Sequence, residues 1–260
     1  MSRLLPNQSS SQPQQAVNIN RAHPLAKDLV FAHTPLHRTV DAVNTTIKYT
    51  YDQSAGDGYN FISLRGGIAY APRNYVAVIS SRSAPVTSSH SAFLVCSVEA
   101  DAFPLNYSGY QLMAWGDNSS PQFGLDSSGF VYASYPQNSV STTTTTAITL
   151  RKVITIGYVI NSAGTTLYVD GKTVGSSATT YGIDINNYPR PYGYDGDGPF
   201  TTRQIFRYLS MGWQRALNPA EVYQLSKNPW QLFQSQHRKL TNVYAQVVLD
   251  NSRKFLLFFG

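Results

Sequence analysis

Glu99 and Asp101 have the spacing nearest to a catalytic pair. In Glu99-Ala100-Asp101-Ala102-Phe103 an extended backbone sends alternate side chains to opposite faces, so both carboxylates and Phe103 fall on one side. Two neighbouring carboxylates are the minimum for cleaving a glycosidic bond, one to attack or polarise the sugar carbon and one to deliver the proton. The only other glutamate in the chain, Glu221, stands in a helix-capping position and is not available to complete a set. The five histidines, His23, His33, His37, His90 and His237, show no HExxH or other metal spacing, and their sequence neighbours point to loops or arms. The single cysteine, Cys96, lies in the apolar run Ala92-Phe93-Leu94-Val95-Cys96; it can form no intrachain disulfide and no Cys-based zinc site, and it reads as a buried small hydrophobe. The expectation is a protein without catalytic residues.

Binding has better candidates. Tyr188, Arg190, Tyr192, Tyr194, Asp195 and Asp197 share one Pro- and Gly-stiffened stretch, Tyr188-Pro189-Arg190-Pro191-Tyr192-Gly193-Tyr194-Asp195-Gly196-Asp197. Aromatic faces beside carboxylates can stack on pyranose rings and bond their hydroxyls. The same composition suits a loop packed on a neighbouring protein, the reading favoured here. Asp195 with Asp197, or Asp117 with Asp126, could give oxygens to calcium, but neither spacing makes a calcium loop, so no cofactor or metal is expected. At the other end, Phe255-Leu256-Leu257-Phe258-Phe259 would invite aggregation if left bare. It must pack either on its own domain or on a neighbouring subunit.

The elements that would position these groups are strands. Short apolar runs such as Leu29-Val30-Phe31, Thr46-Ile47-Lys48-Tyr49 and Asn74-Tyr75-Val76-Ala77-Val78-Ile79 are separated by Gly, Pro and Asp punctuation. Phe123-Gly124-Leu125 and Phe130-Val131-Tyr132 flank Asp126-Ser127-Ser128-Gly129, a hairpin loop whose glycine can take a positive φ. A second hairpin joins Val153 to Ile160 with Thr166 to Val169, and Asp170-Gly171 turns the chain into Lys172-Thr173-Val174. No helix of crossover length intervenes, so the pairing is antiparallel. The threonine run Thr142 to Thr146 reads as an edge strand or loop. One helix is expected from Asn218, an N-cap followed by Pro219 and a capping-box Glu221, to about Lys227-Asn228-Pro229. Residues 1–24, rich in Gln, Ser, Asn and Pro, cannot bury enough apolar surface to order themselves alone and are expected to form an arm; 25–233 form the folded domain; 234–260 form a second arm with an expected hairpin across Asp250-Asn251-Ser252.

Five segments in order, Ala92 to Val98, Leu112 to Gly116, Phe123 to Leu125, Leu167-Tyr168-Val169-Asp170-Gly171-Lys172, and Arg215-Ala216-Leu217-Asn218-Pro219-Ala220-Glu221-Val222, resemble the laminin-G-like, concanavalin A-like jelly roll over about 29–230. The resemblance implies an all-β antiparallel two-sheet sandwich with one short C-terminal helix and extended arms. It also implies that the Asp-Gly-Lys turn closes a central hairpin and that Arg-Ala-Leu leads from the last core strand into the helix. Jelly-roll glycosidases of this kind carry Glu-x-Asp-x-Glu on one strand; here the third position is Phe103. The polar opening that leads to His23-Pro24-Leu25-Ala26-Lys27-Asp28 and the closing Asn228-Pro229-Trp230-Gln231-Leu232-Phe233 further resemble lectin-like virion proteins of tailed bacteriophages.

That resemblance implies a structural protein of the capsid, collar or tail, assembled in the host bacterial cytoplasm. Its arms would dock on other virion proteins, and it would be present as a homo-oligomer or in multiple copies around a symmetric particle. The alternative is a receptor-binding module that grips host surface glycans. No apolar run reaches the length of a membrane span and no basic run interleaves with aromatics, so neither a membrane nor a specific nucleic acid is an expected partner.

Overall fold

The computed structural model describes residues 12–13, 17–34, 48–51, 60–64, 67–71, 76–79, 89–98, 110–115, 122–126, 128–135, 140–144, 146–178, 189–190 and 205–235. Among them the chain forms β1 (Val17–Ile19), a 3-10 turn at Pro24–Ala26, β2 (Leu29–His33), β3 (Lys48–Tyr51), β4 (Asn60–Leu64), β5 (Gly67–Ala71), β6 (Val76–Ile79), β7 (His90–Val98), β8 (Tyr110–Trp115) and β9 (Gln122–Leu125). It continues through β10 (Val131–Tyr135), β11 (Val140–Thr143), β12 (Val153–Asn161), β13 (Gly164–Val169), β14 (Lys172–Ser177), β15 (Pro189–Arg190), β16 (Ile205–Trp213), α1 (Pro219–Lys227) and β17 (Phe233–Ser235).

Two sheets make the sandwich. The larger runs β14-β13-β12-β7-β16-β5-β4 with β2 also on β16, and the smaller runs β11-β10-β9-β8-β15; every pairing is antiparallel. The expected all-β sandwich with one short helix is the fold observed. The threonine run contributes Thr142 and Thr143 to β11, an edge strand.

All nine residues of β7 are buried, which a sheet with one wet face would not allow. The reason lies in its two packing partners. Ala92, Leu94, Cys96 and Val98 meet Leu125, Val131 and Ala133 of the smaller sheet, with Ile154, Ile156 and Tyr158 of β12 in the same layer. The alternate residues Phe93 and Val95 face the opposite way, with Met211 and Trp213, against Val222 and Leu225 of α1, Leu25 of the 3-10 turn, and Trp230 and Leu232 beyond the helix. The large sheet is therefore covered twice, once by strands and once by the two ends of the domain. This explains why β7 reads as a continuous apolar run rather than an alternating one.

The helical cover is fastened by the two sequence segments that carry most of the family resemblance. Asp170 and Gly171 both have positive φ, 50° and 78°, the pairing that a two-residue hairpin turn requires. A Cβ at Gly171 would lie 3.1 Å from Cα of Tyr223 and Cβ of Ser226, tighter than most real contacts, and the positive φ there adds strain for any other residue, so glycine suits the close seat of α1 on the turn. The Asp170 carboxylate accepts from the Thr155 amide at 3.0 Å and pairs with Lys152 at 2.9 Å, and the Thr155 hydroxyl donates to Ser226 on the helix. This hairpin lies at the edge of the large sheet, since β14 is the terminal strand, and not at its centre as the resemblance implied.

At the helix start, Asn218 and Glu221 form the expected capping box, and Arg215 holds both Glu221 oxygens at 2.8 Å. Ser91 of β7 ties the approach to the helix down by donating to Arg215 O and accepting from Leu217 N.

Within the expected arm, residues 17–23 are held by the folded domain. Val17–Ile19 pairs with Phe233–Ser235, and Val17 and Ile19 are buried. Leu25 O accepts from the Trp213 indole at 2.7 Å, and Lys27 O from Arg215. The strand that orders this segment comes from the far end of the chain, so no local pattern announces it. The hairpin expected over 242–259 lies outside the described residues.

Candidate functional site

The expected loop enters the described structure only at Pro189–Arg190, the edge strand of the smaller sheet, where Pro189 opposes Trp115 and Arg190 opposes Ala114. Tyr188, Tyr192, Tyr194, Asp195 and Asp197 lie outside the described residues, as do Glu99, Asp101, Phe103, Asp117 and the apolar segment Phe255, Leu256, Leu257, Phe258 and Phe259. Asp126 is described, and its carboxylate is occupied locally: Oδ1 accepts from Ser128 N at 2.8 Å and Phe130 N at 2.9 Å, closing the turn that Gly129 completes with φ 82°. Among the described residues no three His, Cys, Asp or Glu side chains gather as metal ligands.

The histidines divide. His23 caps the 3-10 turn, its Nδ1 accepting from Leu25 N at 3.2 Å, as a loop histidine would. His33 and His90 correct the expectation of loops or arms: they end β2 and begin β7, and both are buried. His90 sets its ring edge to face against Tyr158, with centroids 5.4 Å apart. Strand ends next to a packed core hide polar residues that a sequence shows only as interruptions in an apolar run. Cys96 is wholly buried, and desolvation pushes its thiol up to about 12 despite the opposing charge of Arg207, its cross-strand neighbour. A thiol so placed is chemically inert.

The register of the smaller sheet brings a different set of residues together. Leu125, Val131 and Ala133 are buried against the large sheet. Pleat alternation puts the intervening positions on the opposite face. One row there runs Arg190, Ala114, Gln122, Ser134, Ser141, each opposed to the next across all five strands. The next row runs Gln111, Gly124, Tyr132, Thr143, with Tyr132 half-buried and Thr143 exposed. Adjacent strands are about 4.8 Å apart, so the first row is roughly 19 Å long.

These nine positions hold two carboxamides, three hydroxyl side chains of Ser or Thr, a phenol and one guanidinium, with no carboxylic acid. Gly124, opposite Tyr132, is buried, and the Tyr132 ring is half-exposed. Only Arg190 of this set was singled out by sequence. The hairpin across Asp126 to Gly129 carried a usable signal for Tyr132, because its loop length fixes Gly124 opposite Tyr132, whereas no local pattern predicts that residue 190 returns beside residue 114.

No family model matches the chain. No curated protein matches it in sequence either. Solved structures do. The binding domain of Paraclostridial Mosquitocidal Protein 1 superposes with a TM-score of 0.60 at 16% identity, covering 78% of this chain and 52% of that one. Domain 4 of AbnA, a GH43 extracellular arabinanase from Geobacillus stearothermophilus, in complex with arabinotriose, gives 0.54 at 13% identity over 76% of this chain and 98% of that one. The likeness is one of fold. Trypanosoma rangeli sialidase in complex with 2,3-difluorosialic acid gives 0.54 at 12% identity, and the chain spans 38% of that protein's length. The shared architecture is the jelly-roll-like β-sandwich.

Proposed function

We propose that this protein is a non-enzymatic carbohydrate-binding β-sandwich whose ligand lies on the outward face of the smaller sheet. The acid-free polar row from Arg190 to Ser141 carries this reading. Amides and hydroxyls spaced at strand intervals match the donor and acceptor pattern of sugar hydroxyls, and the half-exposed Tyr132 beside the exposed Thr143 supplies a ring on which a sugar face can rest. The same row lacks the two carboxylates that glycosidic cleavage requires, which favours binding without turnover. The arabinotriose complex of a domain with this fold adds support by analogy.

A glycan-array screen of the whole chain, followed by titration of the best ligand, tests the proposal. Gln122→Ala and Tyr132→Ala should each weaken binding by roughly 10-fold, about 1.4 kcal/mol, with unchanged circular dichroism. Absence of glycan binding, or binding that ignores both substitutions, would overturn it.

A second reading is a structural protein of a tailed-phage virion, supported by the sequence resemblance and by one structural feature. Val17 opposes Ser235, so the chain before β1 and the chain after β17 depart from the same end of one two-stranded ribbon. Segments that leave side by side can engage one partner jointly, whether a capsid, collar or tail subunit or a second copy of the chain. This reading takes first place if the isolated chain binds no glycan.

A further inference from the structure

We propose that residues 17–28 form a clasp that opens and closes as one unit with α1, with Arg215 as the joint between them. The clasp packs on the helix side of the large sheet. At its outer end β1 pairs with β17 over three residues, from Val17 opposite Ser235 to Ile19 opposite Phe233, in a two-stranded ribbon separate from both main sheets, and Asn20 N donates to Leu232 O at 2.8 Å. A ribbon this short has little stability of its own. The apolar layer beneath holds it: Ile19, Leu25 and Ala26 are buried in one cluster with Trp213, Trp230 and Leu232.

The inner end of the clasp has a pivot. Asp28 has φ 57°, a left-handed conformation that a residue with a side chain adopts at a cost. Val30 is the extra residue where β2 meets β16, between Leu29 opposite Trp213 and Phe31 opposite Gly212. The clasp can therefore swing about residues 28–30 while β2 from Phe31 onward keeps its ladder.

Arg215 makes the clasp and the helix interdependent. Its Nε donates to Lys27 O at 3.2 Å, its two terminal nitrogens hold Glu221 at 2.8 Å, and Glu221 caps α1 together with Asn218. A guanidinium is planar, so withdrawing Lys27 O removes a contact that fixes the orientation of the fork on Glu221. The clasp also shares its apolar cluster with Leu217, Val222 and Leu225. Elements joined by one cluster and one polar contact open together rather than singly. Opening would bare Trp213 and Trp230, which are 0% and 4% exposed while the clasp is closed.

Hydrogen exchange on the full chain, read by mass spectrometry, tests the proposal. Asn18 and Gln234 oppose each other and are both exposed, so Asn18→Cys with Gln234→Cys places a disulfide across the ribbon without entering the core, and the buried, inert Cys96 does not compete for it. In the reduced double variant the amides of residues 17–28 and of α1 should exchange at matching rates, faster than those of β7 and β12, and oxidation should slow both groups by roughly 10-fold. Adding Arg215→Gln should break the link, leaving α1 as fast in the oxidised chain as in the reduced one.

The proposal is overturned if oxidation leaves α1 unchanged, or if residues 17–28 exchange no faster than β7. It also fails if oxidation still slows α1 in the Arg215→Gln chain, because the apolar cluster would then be the joint. The comparison of oxidised and reduced chains decides the shared opening even if Arg215→Gln does not fold; Arg215→Lys, which keeps the charge and loses the two-pronged grip on Glu221, then takes its place in testing the joint.

Discussion

Two arginines separate the two halves of this molecule. Arg215 is fixed by the fold: its guanidinium holds both oxygens of Glu221 at 2.8 Å, its Nε donates to Lys27 O, and its carbonyl accepts from Ser91. Arg190 stands at the edge of a sheet row that contains no acid. The first belongs to the cover of the large sheet, where both faces are buried and Ser91, Thr155, Asn218, Glu221 and Ser226 all have structural partners. The second belongs to the outward face of the smaller sheet, where polar residues repeat with the strand spacing. Polar side chains near α1 brace the fold, whereas the register of the smaller sheet lines up polar residue types in rows across its strands. Substitutions on the two sides should fail in different currencies, stability on one and ligand affinity on the other.

The sharpest way to break that contrast is at Trp213. Its side chain is wholly inaccessible and its indole donates to Leu25 O at 2.7 Å, tying the last core strand to the N-terminal segment. Trp213→Ala should cost about 3–5 kcal/mol in chemical denaturation, enough to unfold a marginal domain. A loss below about 1 kcal/mol would mean that the cover contributes little.

Glu221→Gln should have an intermediate effect of about 1–2 kcal/mol at neutral pH, because it removes the charged partner of Arg215 and alters the capping box. The hydrogen bonds from Arg215 hold the Glu221 carboxyl below its ordinary 4.5, against the opposing effect of burial. A depressed folded value means that the stabilisation is complete above 4.5 and is lost as pH falls through the folded value. The gap between wild type and variant, followed by urea titration, should therefore close in acid and not in base.

Ser134→Ala should have the smallest effect on stability, within about 0.5 kcal/mol by the same measurement, because its row lies on the face away from the core. A large loss there would show that the row is structural and would merge the two halves of the comparison.

Much of the architecture was legible in the sequence because its signals are local. The capping box at Asn218 and Glu221, the glycine after Asp170 and the turn closed by Asp126 each act within a few residues, and each appears where its chemistry requires. Two kinds of feature were not legible. Val17–Ile19 reads as part of a polar arm because the strand that buries it is Phe233–Ser235. His33 and His90 read as loop residues because burial is set by what packs over a strand end, not by its neighbours in the chain. The candidate surface lies between these cases. Tyr132 opposite Gly124 follows from a short hairpin, but the return of Arg190 to the edge beside Ala114 depends on a connection with no periodic signature.

By itself the sequence determined most of the core strands, the tight turns, the one helix and its cap, since hydrogen bonds and φ preferences of adjacent residues settle these. Only the tertiary structure decided that the large sheet would be covered on both faces and that nine scattered residues would form two continuous rows. Strand order and register are chosen by the burial of whole faces against each other. That energy is summed over contacts distant in sequence, so no stretch of the chain contains it.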